Sequence, residues 1–328
     1  MKRPFLLFLI PLLFSCSENK TETTEVQEKS TEEIEAHTTI TETSLVILGT
    51  IQDAGSPQIG CTKDCCKGLF TNPNNNRKVV SLGLIDPTNK KKYLFEATPD
   101  FVSQTKMLKN FCDFETSEIP DKIFLTHAHI GHYTGLMYLG KEAMDAHHVQ
   151  ISALPKMRAF LKQNGPWSQL VANENIHLNH FNEGDTSNLG TDIMVIPFIV
   201  PHRDEFSETV GYKIVGPNKS ALFIPDIDKW DKWDKNIIDE ISKVDYAFID
   251  ATFFDAREIK NRNIADIPHP FIIESMYLFE SMSKSEKNKI YFIHFNHTNP
   301  VIDINSKQAK RVLDNGFNIA QINDIFKL

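Results

Sequence analysis

The sequence predicts a layered α/β domain, because short apolar runs typical of buried strands alternate with segments that have helical spacing. The strand-like runs are LVILGT, KYLFEAT, KIFLTHAH, DIMVIPFIV, SALFIPD, YAFIDATFF and KIYFIHF. The helix-like segments between them are FVSQTKMLKNF, TGLMYLGKEAM, PKMRAFLKQ, FIIESMYLFESM and SKQAKRVLDNGF. All of these runs fall within residues 44–328, which is enough chain for one large domain.

The first fifteen residues, MKRPFLLFLIPLLFS, have the layout of a secretory signal peptide. Lys2 and Arg3 precede an apolar run that is too short to cross a bilayer with any margin. Cys16 follows this run in a context that resembles the lipobox of bacterial lipoproteins, in which the cysteine is lipidated. The resemblance implies an exported lipoprotein, anchored to a membrane through Cys16 on the periplasmic or cell-surface side. An ordinary signal peptide with an incidental cysteine is the alternative.

The stretch after the lipobox, residues 16–43, is predicted to be a disordered acidic tether. After Cys16 it contains eight glutamates against Lys20 and Lys29, and it has hardly any apolar residues with which to bury a core. The whole chain has a net charge of −8, and the part after the tether is mildly acidic as well. Long nucleic acids need a basic face, so we expect a small-molecule substrate and no nucleic acid partner.

The segment GCTKDCCKGLF places Cys61, Cys65 and Cys66 in one glycine-flanked loop. In an exported protein a disulfide is one explanation, although adjacent cysteines rarely pair with each other, and at most one of them could pair with Cys61. Three thiolates with one imidazole would instead form a closed structural zinc site. Cys112, in KNFCDFE, is predicted to be a small buried apolar residue.

A second candidate metal site begins with LTHAHIGH. His127 and His129 are two residues apart on a loop after a strand, so both can converge on one ion, while His132 can face a neighbouring position. Imidazole with carboxylate suits zinc, manganese or iron. A chance cluster of surface histidines is the alternative. Three further strand-like runs end in candidate ligands: His202, Asp226 and His294.

In this order the residues resemble the metallo-β-lactamase-fold metallohydrolases, which have an H-x-H-x-D-H loop followed by a His, a bridging Asp and a final His. The resemblance covers nearly all of residues 44–328 and implies a four-layer αββα sandwich. It also implies two metal positions that share Asp226. The first would be held by His127, His129 and His202, and the second by His132 and His294. Gly131 replaces the aspartate of the loop motif, so the second ion is expected to bind more weakly.

Two branches of this superfamily show closer similarity. VILGTIQDAGSPQIGC and IHFNHTNPVID resemble coenzyme PQQ synthesis protein B, whereas FIDATFF and IPHPFIIES resemble the phosphodiesterase branch, which includes tRNase Z and a cyclic phosphodiesterase. The second resemblance implies that His269 is a general acid or a phosphate contact. A loop histidine before Pro270 is the alternative. The cyclic phosphodiesterase also implies His297 as the fourth ligand of a structural zinc with the three loop cysteines.

The resemblance implies an enzyme with one or two divalent metals, zinc ahead of manganese and iron. A bound divalent metal lowers the pKa of water and polarises the bond to be cut. The implied activity is hydrolysis of a small ester by metal-activated hydroxide, a phosphodiester ahead of other esters, with Asp226 and His269 as catalytic residues. The alternatives are oxidative chemistry at iron, by analogy with coenzyme PQQ synthesis protein B, and a non-catalytic metal-containing binding lipoprotein. The sequence leaves the oligomeric state open.

Overall fold

The computed structural model describes residues 38–259 and 267–328. The predicted signal peptide, Cys16 and most of the predicted tether lie outside these residues. Within the described ranges, no helix combines the length and the apolar character needed to span a bilayer.

Two seven-stranded sheets contain the strands of the described chain. The first sheet contains β1 (Ser44–Gly49), β2 (Ser81–Asp86), β3 (Lys91–Phe95), β4 (Lys122–Phe124), β5 (Val149–Ser152), β6 (Ile176–Asn179) and β14 (Ile325–Lys327). The second contains β7 (Ser187–Gly190), β8 (Ile193–Ile199), β9 (Val210–Val215), β10 (Ser220–Ile224), β11 (Tyr246–Asp250), β12 (Ile290–Ile293) and β13 (Asn318–Ile319). Their spatial orders are β14-β1-β2-β3-β4-β5-β6 and β13-β12-β11-β10-β9-β8-β7.

Each sheet is antiparallel on one side and parallel on the other. β3 to β6 run parallel in the first sheet, and β10 to β13 run parallel in the second. Parallel strands are covered on both faces, which explains the nearly continuous apolar runs in β11 and β12. The strands end earlier than the apolar runs of the sequence do, because the last residues of several runs leave the sheet and form loops.

The two sheets pack face to face through an aromatic core. The rings of Phe95 and Phe124 stack with centroids 4.9 Å apart, and Tyr212 and Phe223 meet Phe95 edge-on at 5.5 and 6.1 Å. Stacked and edge-on pairs of this kind add to the free energy gained by burying the rings. This core joins the two halves of the chain across the interface between the sheets.

Helices cover the outer face of each sheet. On the first sheet these are α2 (Phe101–Asn110), α4 (Pro155–Gln163) and α5 (Trp167–Ala172), and on the second α6 (Ile237–Ser242), α7 (Ile272–Leu278) and α9 (Lys307–Asp314). The short helices α1 (Asp64–Lys67), α3 (Ile130–Tyr133) and α8 (Lys284–Lys287) lie in connecting loops. The predicted four-layer αββα sandwich is therefore confirmed.

Two local predictions differ from the structure. The segment TGLMYLGKEAM forms only a 3₁₀ helix, Thr134–Leu139, because Gly135 lies directly against the preceding loop: a Cβ there would be 2.2 Å from the Thr98 carbonyl oxygen. The packed domain also begins before Ser44, within the predicted tether. Ile40 is buried, and its N–H donates to the carbonyl oxygen of Phe111 at 2.8 Å.

Candidate metal centre

The candidate ligands lie at one edge of the sandwich because they follow the carboxyl ends of strands that point the same way. β8 and β10 are both antiparallel to β9, and β11 and β12 are parallel to β10, so these four strands end together. His202, Asp226 and His294 follow β8, β10 and β12. His294 has φ 70°, a left-handed conformation that is uncommon outside glycine and often occurs at functional sites.

At the first position, three imidazoles converge on one oxygen. Oδ2 of Asp226 lies 3.2 Å from Nε2 of His202, 3.4 Å from Nε2 of His127 and 3.9 Å from Nδ1 of His129. The ligand atoms of these four residues all lie within 4.8 Å of one another. One ion could therefore contact all four side chains.

The second position lies next to the first, between the two remaining histidines. Nε2 of His132 is 3.9 Å from Oδ2 of Asp226, and the His132 ring lies nearly parallel to that of His294, with centroids 5.5 Å apart. Both histidines are fully buried. The structure thus brings all six predicted metal-binding residues together, while their binding of metal stays a prediction.

Three of the imidazoles are oriented through their Nδ1 atoms, which leaves Nε2 facing the site. Such contacts fix the ring orientation and the tautomer of metal-binding histidines. The pairs are His127 with Thr126 Oγ1 at 2.8 Å, His202 with Asp228 Oδ1 at 3.2 Å, and His294 with Thr252 Oγ1 at 2.9 Å.

The charges in the site suit a divalent cation. Burial lowers the pKa of His127 well below its usual value and that of His132 to about 3, so both imidazoles are neutral and able to donate a lone pair. Burial raises the pKa of Asp226, but the positive charges of His202 and His269 outweigh it and hold this pKa well below the usual range. Against the effect of burial, the carboxylate raises the pKa of His202 to about 9, so this imidazole is protonated as long as no cation takes the place of its proton. An ionised carboxylate with imidazoles, those of His127 and His132 already neutral, is a donor set that fits zinc, manganese or iron.

Unpaired buried nitrogen atoms provide a structural test of this fit. Nε2 of His132, of His202 and of His294 is buried without a hydrogen-bond partner among the described residues. An unsatisfied buried polar group costs about 1–3 kcal/mol. A divalent metal ion would use these lone pairs, so the residues fit the group that the motif implies.

His269 lies beside this cluster and pairs with an aspartate that the sequence analysis missed. Its Nδ1 is 2.8 Å from Oδ2 of Asp250 and 3.2 Å from Oδ1 of Asp226. Asp250 is fully buried at the end of β11, within FIDATFF, and it also accepts from the hydroxyl of Thr252 at 2.7 Å. The position of Asp250 at the end of a strand is the sequence signal that could have identified it, and the same signal identified Asp226.

The carboxylates of Asp226 and Asp250 together determine the charge of His269. Burial lowers the pKa of His269, yet the two negative charges raise it well above the usual value. Asp226, Asp250, His269 and His294 also form a close group of metal-ligating side chains. Since the short hydrogen bond to Asp250 occupies Nδ1 of His269, we interpret His269 and Asp250 as an ion pair rather than as ligands.

Gly131 lies in close contact with a loop that the motif did not include. A Cβ added to Gly131 would lie 1.9 Å from Cβ of Asp53 and 2.3 Å from its Cα. The observed backbone leaves no room for an aspartate at this position, since Asp53 already fills the space. Only glycine fits at position 131.

The predicted cysteine site is also assembled. Nδ1 of His297 lies 3.5 Å from Sγ of Cys65 and 3.3 Å from Sγ of Cys66, and Cys61 Sγ is 4.0 Å from that of Cys65. The four ligand atoms lie within 4.8 Å of one another, and the three thiols are free. This arrangement favours the zinc interpretation over a disulfide, and zinc binding stays a prediction.

Cys112 differs from its prediction. It is only half-buried and packs beside the first-sheet helices, with its thiol donating to the carbonyl oxygen of Leu108 at 3.4 Å. It lies at the carboxyl end of α2, where a helix terminus leaves carbonyl groups open to such a contact.

Comparison with known proteins identifies the class of this fold and site. The family model described as beta-lactamase superfamily domain matches residues 91–295, more than half of the chain, so the protein belongs to this family. Coenzyme PQQ synthesis protein B of Gluconobacter oxydans (strain 621H) is 22% identical over 303 residues, which cover 87% of this chain and 98% of that relative. The family resemblance inferred from the motifs is confirmed.

Two solved structures share the fold. Zn²⁺-bound PqqB from Methylobacterium extorquens has a TM-score of 0.71 at 20% identity, covering 87% of this chain and all of the other (100%). A diphosphatase of the PhnP family has a TM-score of 0.60 at 20% identity, covering 87% of this chain and 96% of the other. At this level of identity the similarity establishes the common architecture of these proteins.

Proposed function

We propose that the protein is a metal-dependent hydrolase of a small phosphodiester. The observation that carries this proposal is the 2.8 Å hydrogen bond between His269 Nδ1 and Asp250 Oδ2, formed directly beside Asp226. A divalent metal at the histidine cluster would supply Lewis-acid polarisation and an activated water. Hydrolysis needs in addition a group that protonates the leaving oxygen, and we assign this role to His269.

The ion pair defines how His269 would act. Because Nδ1 donates to Asp250, the ring presents Nε2 on its other side, where it can hold a proton for the leaving oxygen or contact a phosphate oxygen. Asp250 is fully buried, which fixes the orientation of the imidazole. His269 itself is about one-eighth exposed, with a side-chain value of 13%, so a substrate at the site can reach it.

The similar structures support phosphate chemistry. One solved structure with the same architecture is a diphosphatase of the PhnP family, an enzyme that acts on phosphate compounds. The net charge of −8 argues against a long polyanion as substrate and favours a small molecule. We further propose zinc as the metal, with manganese or iron as alternatives, and a structural zinc at the cysteine site.

A substrate panel with paired variants tests this proposal. Small phosphodiesters, a lactam, a thioester and a lactone would be assayed with metal-loaded protein and with His269→Gln. Loss of general acid catalysis should reduce kcat on the phosphodiester by about 10²–10⁴-fold with unchanged metal content. His180→Gln, which changes an exposed histidine, is the control. Turnover of another ester class alone would reject the phosphodiester, and no turnover on any member would favour a metal-containing binding protein.

The similarity to coenzyme PQQ synthesis protein B supports a second candidate, oxidative chemistry at a single iron. The match covers 98% of the relative and 87% of this chain. The rich imidazole content of the site also suits iron. Redox-active iron in natively purified protein, together with turnover that requires oxygen, would favour this candidate over hydrolysis.

A further inference from the structure

The loop between β1 and the cysteine cluster reaches into the metal centre. Cβ of Asp53 lies 1.9 Å from the point where a Cβ on Gly131 would be. The side chain of Asp53 therefore starts almost where the side chain of an aspartate at position 131 would start. An aspartate side chain thus starts next to Gly131, where the loop motif has its own aspartate, from a residue 78 positions earlier in the chain.

Backbone contacts fix this loop in place. The N–H of Gln52 donates to the carbonyl oxygen of Phe295 at 2.8 Å, directly after His294, and Ile51 forms bridges with both Val79 and Phe295. The N–H of Gly55 closes the turn on the carbonyl oxygen of Gln52 at 2.9 Å. The position of Asp53 is therefore tied to the strand end that carries His294.

The imidazoles of the second position have nitrogen atoms that form no hydrogen bond with the described residues. Nε2 of His132 and Nε2 of His294 are fully buried and unpaired among the described residues. The carboxylate of Asp53 is half-exposed and makes no hydrogen bond or ion pair with the described side chains, so no other structural task accounts for it.

We infer that Asp53 supplies the anionic ligand of the second metal position, in place of the aspartate that Gly131 replaces. The second position would then have His132, His294, Asp53 and a share of Asp226. Two carboxylates and two imidazoles are a normal donor set for zinc, manganese or iron. The weak second site expected from Gly131 alone would accordingly not occur. This inference depends on the proposed two-metal centre, and it is independent of the substrate.

Zinc titration of the full chain, after a chelator has removed its metals, tests this assignment. The titration needs no substrate, so it is decisive even when the substrate panel gives no turnover. Calorimetry on His294→Ala identifies which binding event belongs to the second position. Asp53→Asn should weaken that event at least about tenfold and leave the first event unchanged, because ligand charge tunes metal affinity. Asp53→Glu, which keeps the charge, should recover part of the loss. Cobalt in place of zinc should show altered visible absorption for the second equivalent only.

The control is Asp113→Asn, which removes one charge from an exposed aspartate. Unchanged affinity in Asp53→Asn, equal weakening of both events, or a single ion at the histidine cluster of the unsubstituted chain would each overturn the assignment. Carbodiimide labelling of the unsubstituted chain covers the case in which a variant does not fold. Protection of Asp53 by the second zinc equivalent supports the assignment, and equal labelling with and without zinc rejects it.

Discussion

At the scale of single residues, His127 is the side chain on which the first metal position depends most. It is buried, and its ring lies within 4.4 Å of the ring of His129 and 4.2 Å of that of His132, measured between centroids. We expect His127→Ala to remove the first ion and the activity together, because this one change removes a metal ligand and the ring contacts with His129 and His132. Metal analysis and calorimetry measure this. His177→Ala, on the exposed face of β6, should keep full metal content, and retention of the first ion in His127→Ala would contradict the assignment.

Gly131 allows a second prediction at this scale. Any Cβ there would overlap the Cβ and the Cα of Asp53, and a backbone atom cannot move aside as a flexible side chain can. We expect Gly131→Ala to lower the free energy of unfolding by about 1–3 kcal/mol, the usual cost of overpacking. Gly165→Ala, where an added Cβ would meet nothing within 4 Å, is a matched control for chemical denaturation. Equal stability of the two variants would show that the 52–55 loop moves freely.

At the scale of elements, the cysteine cluster joins α1 and its loop to the segment after β12. Closed zinc sites contribute folding free energy directly, because the ligands are brought together only in the folded chain. We expect Cys66→Ser to remove one zinc equivalent and to lower Tm by roughly 5–10 °C. Cys112→Ser, at the half-buried thiol outside the cluster, should leave the zinc content unchanged. A Cys61–Cys65 or Cys61–Cys66 disulfide mapped in native protein would refute the zinc site.

At the scale of the whole molecule, the predicted export and lipid anchor stay a proposal that rests on the sequence. Cys16 follows an apolar run with the layout of a signal peptide, in a context that resembles the lipobox of bacterial lipoproteins. We expect Cys16→Ser to move the protein from the membrane fraction to the soluble fraction. Fractionation followed by mass analysis of the N-terminus measures this outcome. A variant that stays with membranes would refute the anchor.

The sequence by itself determined the family, the αββα architecture, and the residues that local patterns mark. His127, His129 and His132 are recognisable because their spacing lies within one loop, and strand ends marked His202, Asp226 and His294. The length of TGLMYLGKEAM as a helix was wrong, since the contact between Gly135 and the Thr98 loop is not a local property.

Only the tertiary structure decided which distant residues complete the site. Asp250 pairs with His269 because the start of α7 is tied to the residues after β11, where the N–H of Ile272 donates to the carbonyl oxygen of Phe253 at 2.9 Å. Asp53 reaches the histidine loop because backbone hydrogen bonds tie its turn to the end of β12. The sequence shows that position 131 lacks the aspartate of the loop motif. It does not show that the side chain of Asp53, 78 residues earlier, lies at this position, because that depends on the packing of two loops. Such packing follows from the distances between backbones, which a linear pattern does not contain.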